Sequence, residues 1–579
     1  MTDRTPGRTS GTVRPARRRI LQAGAAAAVA LGASACARIP VSSDISATPV
    51  GQAQDGSAPY VQPRPPSPGA DPSQIVEGFV RAGVGADDDY AIARSYLTAQ
   101  ARDAWDPRSG VTVYAADTGT ATPNPGAPGE ITMRVMALAQ VDALGVRTAL
   151  SSPSQREIDI ALEQVDGQWR ISRPPAGVFL SEPVFEILFA PGRVYHLDPA
   201  LQRLVPDVRW AAAQEQTQAL LRHLGGRPAP FLADAVRSAV PAQLATEDSA
   251  IRTTGSGELR VSVPAAVRAL PSERRRLAVT QILATVRSGQ LLGEVRISSD
   301  GVDLTHEEDT SLHRPLPGHR ALGAAEQGIV ALAEGAPGAA PVRLIPALAD
   351  RAVSDPSASA AAGRAAALGS DASTVLLCPL EEADGVREVA LGAPAAPPRC
   401  DATGRTWTAR HDGAPSLLVL SPHGPEQDQE VEVPWLAGRE VMGLDLSGDA
   451  TRLLVISSRE GVTELDLCAV VRDEDGAPRA VTEPMPVALP VDSIIQATWY
   501  DEASIAVLGT VEDAQGRALV HDLAGTDDPM PDPPTGTTRL AGSALSGVAY
   551  CSDESGALHR SDGTAWTRLV LSARGPSFY

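Results

Sequence analysis

The sequence predicts a multidomain protein in which two small α+β domains precede an all-β, repeat-built region. Three observations predict it. Apolar residues at helical spacing near residue 75 give way to strict alternation between about 131 and 171. A second mixture of helices and strands fills about 184–300. From about Arg314 the helical period almost vanishes, and strand–turn–strand units recur instead. The 579 residues are enough for about three or four domains.

The chain begins with an address rather than a fold. Arg14, Arg17, Arg18 and Arg19 precede an Ala-rich apolar run from Ile20 to Ala35. That run is shorter than the roughly 20 apolar residues a spanning helix needs. A basic start, a short apolar stretch and small residues before a cleavage point are the layout of an export signal, here residues 1–35. Ala33-Ser34-Ala35-Cys36 resembles a bacterial lipobox, which implies cleavage before Cys36 and lipidation of its thiol. More than one acyl chain is needed for stable anchoring, and a diacyl or triacyl cysteine meets that need. Arg17-Arg18-Arg19-Ile20-Leu21 fits twin-arginine export as well as a generic basic start, and both remain open. Residues 36–72, rich in Pro, Gly, Ser and Ala, read as a tether without a core.

The first α+β domain is expected over 73–178. Ile75, Val76, Phe79 and Val80 predict a helix that Gly83 and Gly85 end, and Asp88/Asp89 can cap a second one carrying Ile92, Tyr96 and Leu97. Ile131, Met133 and Val135, then Ile158, Ile160 and Leu162, alternate as strands, with Asp166-Gly167 as a hairpin turn. The layout resembles NTF2-like domains.

The second domain is expected over 179–305. Val184–Phe189 and Arg193–Leu197 read as strands, and about 211–224 as a helix with Leu220, Leu221 and Leu224 buried. "GELRVSV" is a strand, a helix from about Ser272 buries Val279, Ile282, Leu283 and Val286, and "GEVRISSDG" is an edge-like strand. "RVYHLDPALQRLVPDVRW", "ALLRHLGG", "GELRVSV" and "QILATVRSGQLLGEVRISSDG" together resemble the GerMN domain.

The last region, 306–579 with its leading linker, is expected to be a β-propeller of five to six blades. Turn aspartates Asp355, Asp412, Asp449, Asp501 and Asp553 lie 57, 37, 52 and 52 residues apart. "QGIVALAEG" is a candidate first blade and "AWTRLVL" a candidate for ring closure; an elongated pair of β-sandwiches is the other architecture the irregular spacing allows.

Chemistry is sparse. Every basic residue is arginine, which excludes a P-loop lysine, a lysine Schiff base and an S-x-x-K site. A net charge of −20 disfavours nucleic acid as a partner. "THEEDTSLHRPLPGHR", with His306, His313 and His319, lacks the H-E-x-x-H spacing and reads as a charged linker. No G-x-S-x-G elbow occurs, "GSALSG" being out of register. Asp87-Asp88-Asp89 reads as a helix cap, the blade aspartates as turn stabilisers, and His196 as a packing or surface residue. No catalytic residue, cofactor or metal site is therefore expected, and the chain is expected not to be an enzyme. Beyond Cys36 there are four cysteines, of which Cys378 and Cys400 are a candidate disulfide.

"CARIPVSSD" after the lipid cysteine, with the order lipobox, N-terminal domain, GerMN unit and propeller, resembles the actinobacterial LpqB-type lipoproteins over nearly the whole chain. The resemblance implies a protein lipid-anchored on the extracytoplasmic face of the cell membrane. It also implies a partner, the extracellular domain of an MtrB-like sensor histidine kinase, and a role in envelope homeostasis and division through that two-component system. The alternative is a cell-wall binder of peptidoglycan or glycan without a kinase partner, with Trp407 and Trp499 as candidate stacking residues; only 4% of residues are aromatic, which weighs against it.

Overall fold

The computed structural model describes residues 63–579 apart from 86–88, 117, 125–126, 128, 290–292, 313, 315, 317, 333–341 and 513–514. The export signal, Cys36, most of the tether, Asp87, Asp88 and His313 thus lie outside the described residues. No helix among the described residues is long and apolar enough to cross a membrane.

The first domain opens with a capping box. The Asp71 carboxylate accepts the Gln74 backbone N–H, and the Gln74 side chain accepts that of Asp71. The helix Pro72–Ala82 follows, burying Ile75, Val76, Phe79 and Ala82. The second expected helix is shorter than its apolar spacing suggests. Tyr90 turns the chain at φ 59°, only Ala91–Arg94 is helical, and Ala99–Ala104 starts afresh at a Thr98 cap. Asp89 does not cap; its carboxylate pairs with Arg94 and Arg108. Behind these helices the strands Glu130–Asp142, Arg147–Val165 and Gln168–Arg173 run antiparallel, with Gly110–Tyr114 and its parallel neighbour Val178–Ser181 completing the row and Thr120–Pro123 added beside the first. Asp166 and Gly167, at φ 50° and 72°, make the expected two-residue turn.

The second domain begins with a difference. Glu182–Leu188 is a helix where a strand was expected over Val184–Phe189. Pro183 suits a first helical turn, and tertiary packing draws Phe185 against Trp210, ring centroids 4.7 Å apart. The strands Phe189–Leu197 and Leu204–Ala212 then form a hairpin, so the helix expected from 211 starts only at Gln216. "GEVRISSDG" is not at an edge. Val295–Ser299 lies inside a sheet, parallel to Leu259–Ser262 on one side and flanked by Val302–Asp303 folding back on the other. The helix Ser272–Ser288 is buried on every side from Ala278 to Val286. Its polar members are matched: Thr285 accepts the Tyr195 N–H and Gln281 donates to the Tyr195 carbonyl.

"THEED" is not a free linker either. Glu307, Glu308 and Asp309 pair with Arg275, Arg287 and Arg276, fastening the segment along that helix.

The third domain is a ring of six sheets. Blades two to six take their strands consecutively, beginning with the innermost strands Val353–Ser359, Arg399–Cys400, Glu440–Leu446, Ser493–Trp499 and Thr537–Ser543. Each innermost strand neighbours the next around the ring. Blade one differs: Ala321–Ala325 and Gly328–Ala331 come from the start of the domain, and Arg574–Phe578 from its end supplies the innermost strand. Closure is thus made by "RGPSF", whereas "AWTRLVL" falls on Trp566–Ser572, the outermost strand of blade six. The first blade also begins one strand before "QGIVALAEG".

The uneven aspartate spacing has a simple cause. Asp449 and Asp501 occupy turns between first and second strands, Asp412 and Asp553 turns between second and third, and Asp355 lies within a first strand. Three phases were read as one. The residue in step with Asp449 and Asp501 is Asp401, and all three carboxylates accept backbone N–H groups of their own turns.

The candidate disulfide is not formed; Cys378 and Cys400 are both free thiols. Cys378 packs with Leu322 and Ile329 in the core between blades one and two. Cys400 packs with Ala366 and Leu377 between blades two and three. Side chains on opposite faces of one sheet cannot meet across a bond that needs Cβ atoms about 4 Å apart. Burial pushes the two thiols up to about 11 and about 12, so neither presents a thiolate.

Closure yields a stability prediction. Gly575 sits at φ 56°, and a Cβ there would lie 2.8 Å from the Asp355 Cα in the next inner strand. Gly167 at φ 72° faces open space. Gly167→Ala should cost about 1 kcal/mol, the left-handed penalty alone, and Gly575→Ala about 3 kcal/mol once strain at a crowded site is added. Calorimetric melting of both variants checks the order; equal losses would contradict it.

Candidate functional site

The face of the propeller that carries the first-to-second strand turns receives the second domain. Polar contacts mark the junction. The Tyr195 hydroxyl donates to Glu502 Oε1 at 2.6 Å, and Arg193 Nη1 donates to the same oxygen at 3.0 Å. Glu502 lies in a turn of blade five, is buried, and its Oε2 has no partner among the described residues. Burial and the neighbouring Glu502 together push the Tyr195 hydroxyl pKa far up, so it stays a donor. Trp210 Nε1 donates to the Ala524 carbonyl, Arg203 to that of Ala402, and Thr482 Oγ1 to that of Phe231. An apolar core crosses the junction: Val146 of the first domain, Val205, Phe231 and Val236 of the second, and Leu454, Ile456 and Trp499 of the propeller form one cluster.

Behind it lies a buried charge network that sequence reading missed. His196 is fully buried, and its Nε2 stands 3.2 Å from Asp207 Oδ2. Arg209 grips Asp207 through Nε and Nη2 at 2.8 and 2.5 Å, and the Ala229 N–H donates to it as well. Burial alone would raise the Asp207 carboxyl, but Arg209 and the His196 hydrogen bond hold it well below the usual carboxylate range. Arg209 Nη1 also donates to the Leu144 carbonyl at 2.6 Å, tying the first domain to the second. The signal for this network was weak: Asp207 and Arg209 alternate in a strand where apolar residues would be expected.

Nearby, His223 borders a cavity of about 160 Å³ between the first and second domains, with Tyr90, Arg108, Gly145 and Trp210. Burial, reinforced by Arg209, lowers its pKa to about 4.

The central channel of the propeller is the larger space, a cavity of about 610 Å³. All six innermost strands or their turns line it, and Arg203 with residues of the 314–320 segment form its mouth. Trp499 borders it but is nearly covered, with the Arg452 guanidinium 4.5 Å from its ring centroid. Trp407 is fully buried, its indole N–H donating to Asp401, so it offers no face to a glycan. His306 lies in a short turn on the second domain and His319 at the channel mouth. Among the described residues no group of three or more His, Cys, Asp or Glu side chains is arranged to hold a metal.

Comparison with known proteins follows the same three-part division. Residues 65–186 match the family model of the lipoprotein LpqB N-terminal domain, 193–305 that of the Germane domain of sporulation and spore germination, and 326–578 that of the lipoprotein LpqB β-propeller domain. Lipoprotein LpqB of Cutibacterium acnes is 33% identical over 293 residues, 50% of this chain and 48% of that protein. That of Bifidobacterium longum is 30% identical over 309 residues, 50% and 52%. These two matches span about half the length of each relative. That of Streptomyces avermitilis is 26% identical over 612 residues, covering 97% of this chain and 98% of that protein.

Two predictions arise from the junctions. A His223 held neutral when folded costs nothing above its unfolded pKa near 6.5; as pH falls from 6.5 through about 4, protonation of the unfolded chain removes about 2–3 kcal/mol. Asp207 contributes loss only below about pH 4. Melting at pH 7, 5.5 and 4.5 should therefore fall steeply in the parent and less in His223→Gln, and parallel slopes would refute this. Arg193→Met leaves the buried Glu502 with one donor fewer and should cost about 2 kcal/mol. Adding Glu502→Leu together with Tyr195→Phe, which removes the hydroxyl that would lose its acceptor, should recover most of it, and mutant cycles on melting temperatures read this directly.

Proposed function

Because this chain belongs to the LpqB lipoprotein family, we propose that it is a non-catalytic regulator held by a lipid on Cys36 at the extracytoplasmic face of the cell membrane. Its partner is the extracellular domain of an MtrB-like sensor histidine kinase, and through it the protein acts on envelope homeostasis and division. One observation supports a binding role above others. The three described domains are fixed to one another by a shared apolar cluster and by buried contacts at Glu502 and Asp207. Such a body offers a preformed surface and loses little conformational freedom on association. A binder of this kind shifts a kinase only if it prefers one of its conformations.

Crosslinking and recovery of the full chain from intact cells tests the proposal, with Cys36→Ala as control. The expected result is capture of a sensor kinase through its extracellular domain by the anchored protein, and at least a tenfold loss of capture for the control. Recovery of wall fragments without any kinase would replace this reading with wall binding.

A further inference from the structure

The propeller channel carries a charge pattern that the kinase reading does not use. The chain as a whole is strongly acidic, with a net charge of −20. Yet four arginines, Arg203, Arg314, Arg320 and Arg399, border the channel, and Asp445 is the one acidic side chain among its lining residues. Two of the four are accounted for. Arg203 pairs with Asp198 at 3.4 Å, and Arg399 with Asp445 at 3.3 Å. Arg314 and Arg320 have no carboxylate partner among the described residues; they lie over the rings of Tyr195 and Tyr579, at 4.7 and 5.3 Å from the centroids. Arg314 Nη2 also donates to the Ala284 carbonyl at 3.5 Å, and stacking on an aromatic face fixes each guanidinium plane while leaving the remaining N–H groups open to an anion.

A second observation comes from the wall itself. Thr498, on the innermost strand of blade five, is more than nine-tenths buried, and its hydroxyl has no hydrogen-bond partner among the described residues. A buried hydroxyl left unpaired costs free energy that a bound acceptor would return. The cavity, at about 610 Å³, falls within the range of small-ligand sites.

We propose that the channel binds a small phosphomonoester, with Arg314 and Arg320 at the mouth taking the phosphoryl oxygens and Thr498 donating from the wall. Two uncompensated guanidiniums match the charge of about −1.5 to −2 that a phosphomonoester carries at pH 7 better than they match a monoanion. Arginine's planar fork suits phosphoryl oxygens geometrically. The inference stands apart from the kinase partner and survives its failure.

Calorimetric titration of the full chain in detergent micelles with glycerol 3-phosphate tests it. Glycerol is the uncharged control, and glycerophosphoglycerol tests whether the phosphoryl group could instead come from a polymer diester. The expected result is one saturable site for the monoester, no binding of glycerol, and a weaker diester. Arg320→Gln should weaken the monoester about tenfold, the loss of one charge-assisted hydrogen bond. Thr498→Val should weaken it several-fold. Arg314 and Arg320 are exposed at the mouth, so their variants should keep the parent melting temperature. Absence of saturable binding at millimolar concentrations overturns the proposal, as does unchanged affinity in the Arg314→Gln/Arg320→Gln double variant. A diester that binds more tightly than the monoester overturns the ligand class.

Discussion

A ring of blades has to close on itself, and here five residues do it. Arg574–Phe578 leaves blade six, crosses to blade one and becomes its innermost strand, against Ala321–Ala325. Without that strand, blade one would keep two strands with the Ala321–Ala325 edge unpaired, and the inner strands of blades two and six would lose the neighbour that packs between them. In each of blades two to six the chain enters at the innermost strand. All first-to-second turns then emerge on one face, and it is this face, through Glu502 and Ala402, that meets the second domain. The second domain therefore docks on turns of a ring that the terminal strand completes.

Energy and orientation come from different residues at that junction. The cluster around Phe231, Leu454 and Trp499 removes apolar surface from water, the non-directional contribution. Many relative rotations of two domains could bury a similar area. The buried polar groups discriminate among them. Glu502 without Tyr195 and Arg193 would be a desolvated charge lacking a partner, a state costing several kcal/mol. Rotations that break these contacts are penalised steeply, so a few hydrogen bonds select one arrangement from a set that burial alone leaves close in energy.

What could be read from the sequence follows from how local each signal is. The helix Pro72–Ala82 and the Asp166-Gly167 turn are decided by neighbours within four residues, and both were legible. The six-fold ring was visible only as a loose repeat because its turn aspartates fall in three different phases; Asp401, in step with Asp449 and Asp501, was hidden by the very short strand Arg399–Cys400. The helix Glu182–Leu188 was misread because Phe185 is placed by Trp210, twenty-five positions away. Cys378 and Cys400 look adjacent along the chain, but a single sheet separates the faces they occupy. The His196–Asp207–Arg209 network needed the hairpin register, which apolar spacing does not encode. The channel arginines come from three separate segments, Arg203, Arg314 with Arg320, and Arg399, so no local motif could have joined them.

The same distribution bears on how such a protein could influence a partner. The joint between the second domain and the propeller carries both apolar packing and the buried Glu502, so bending there would expose the first and strand the second, and bending between the first and second domains would break the Arg209 bond to the Leu144 carbonyl. Signalling by internal rearrangement is then costly, whereas signalling by selective attachment costs the body nothing. An anion held in the channel would add a point of control. The channel mouth is formed by Arg203 of the second domain with Arg314, His319 and Arg320, so a bound anion would draw on charges from the junction that holds the domains in place. Occupancy would stiffen that junction further, and any partner whose surface spans it would sense the ligand through binding affinity alone, without either protein changing its fold.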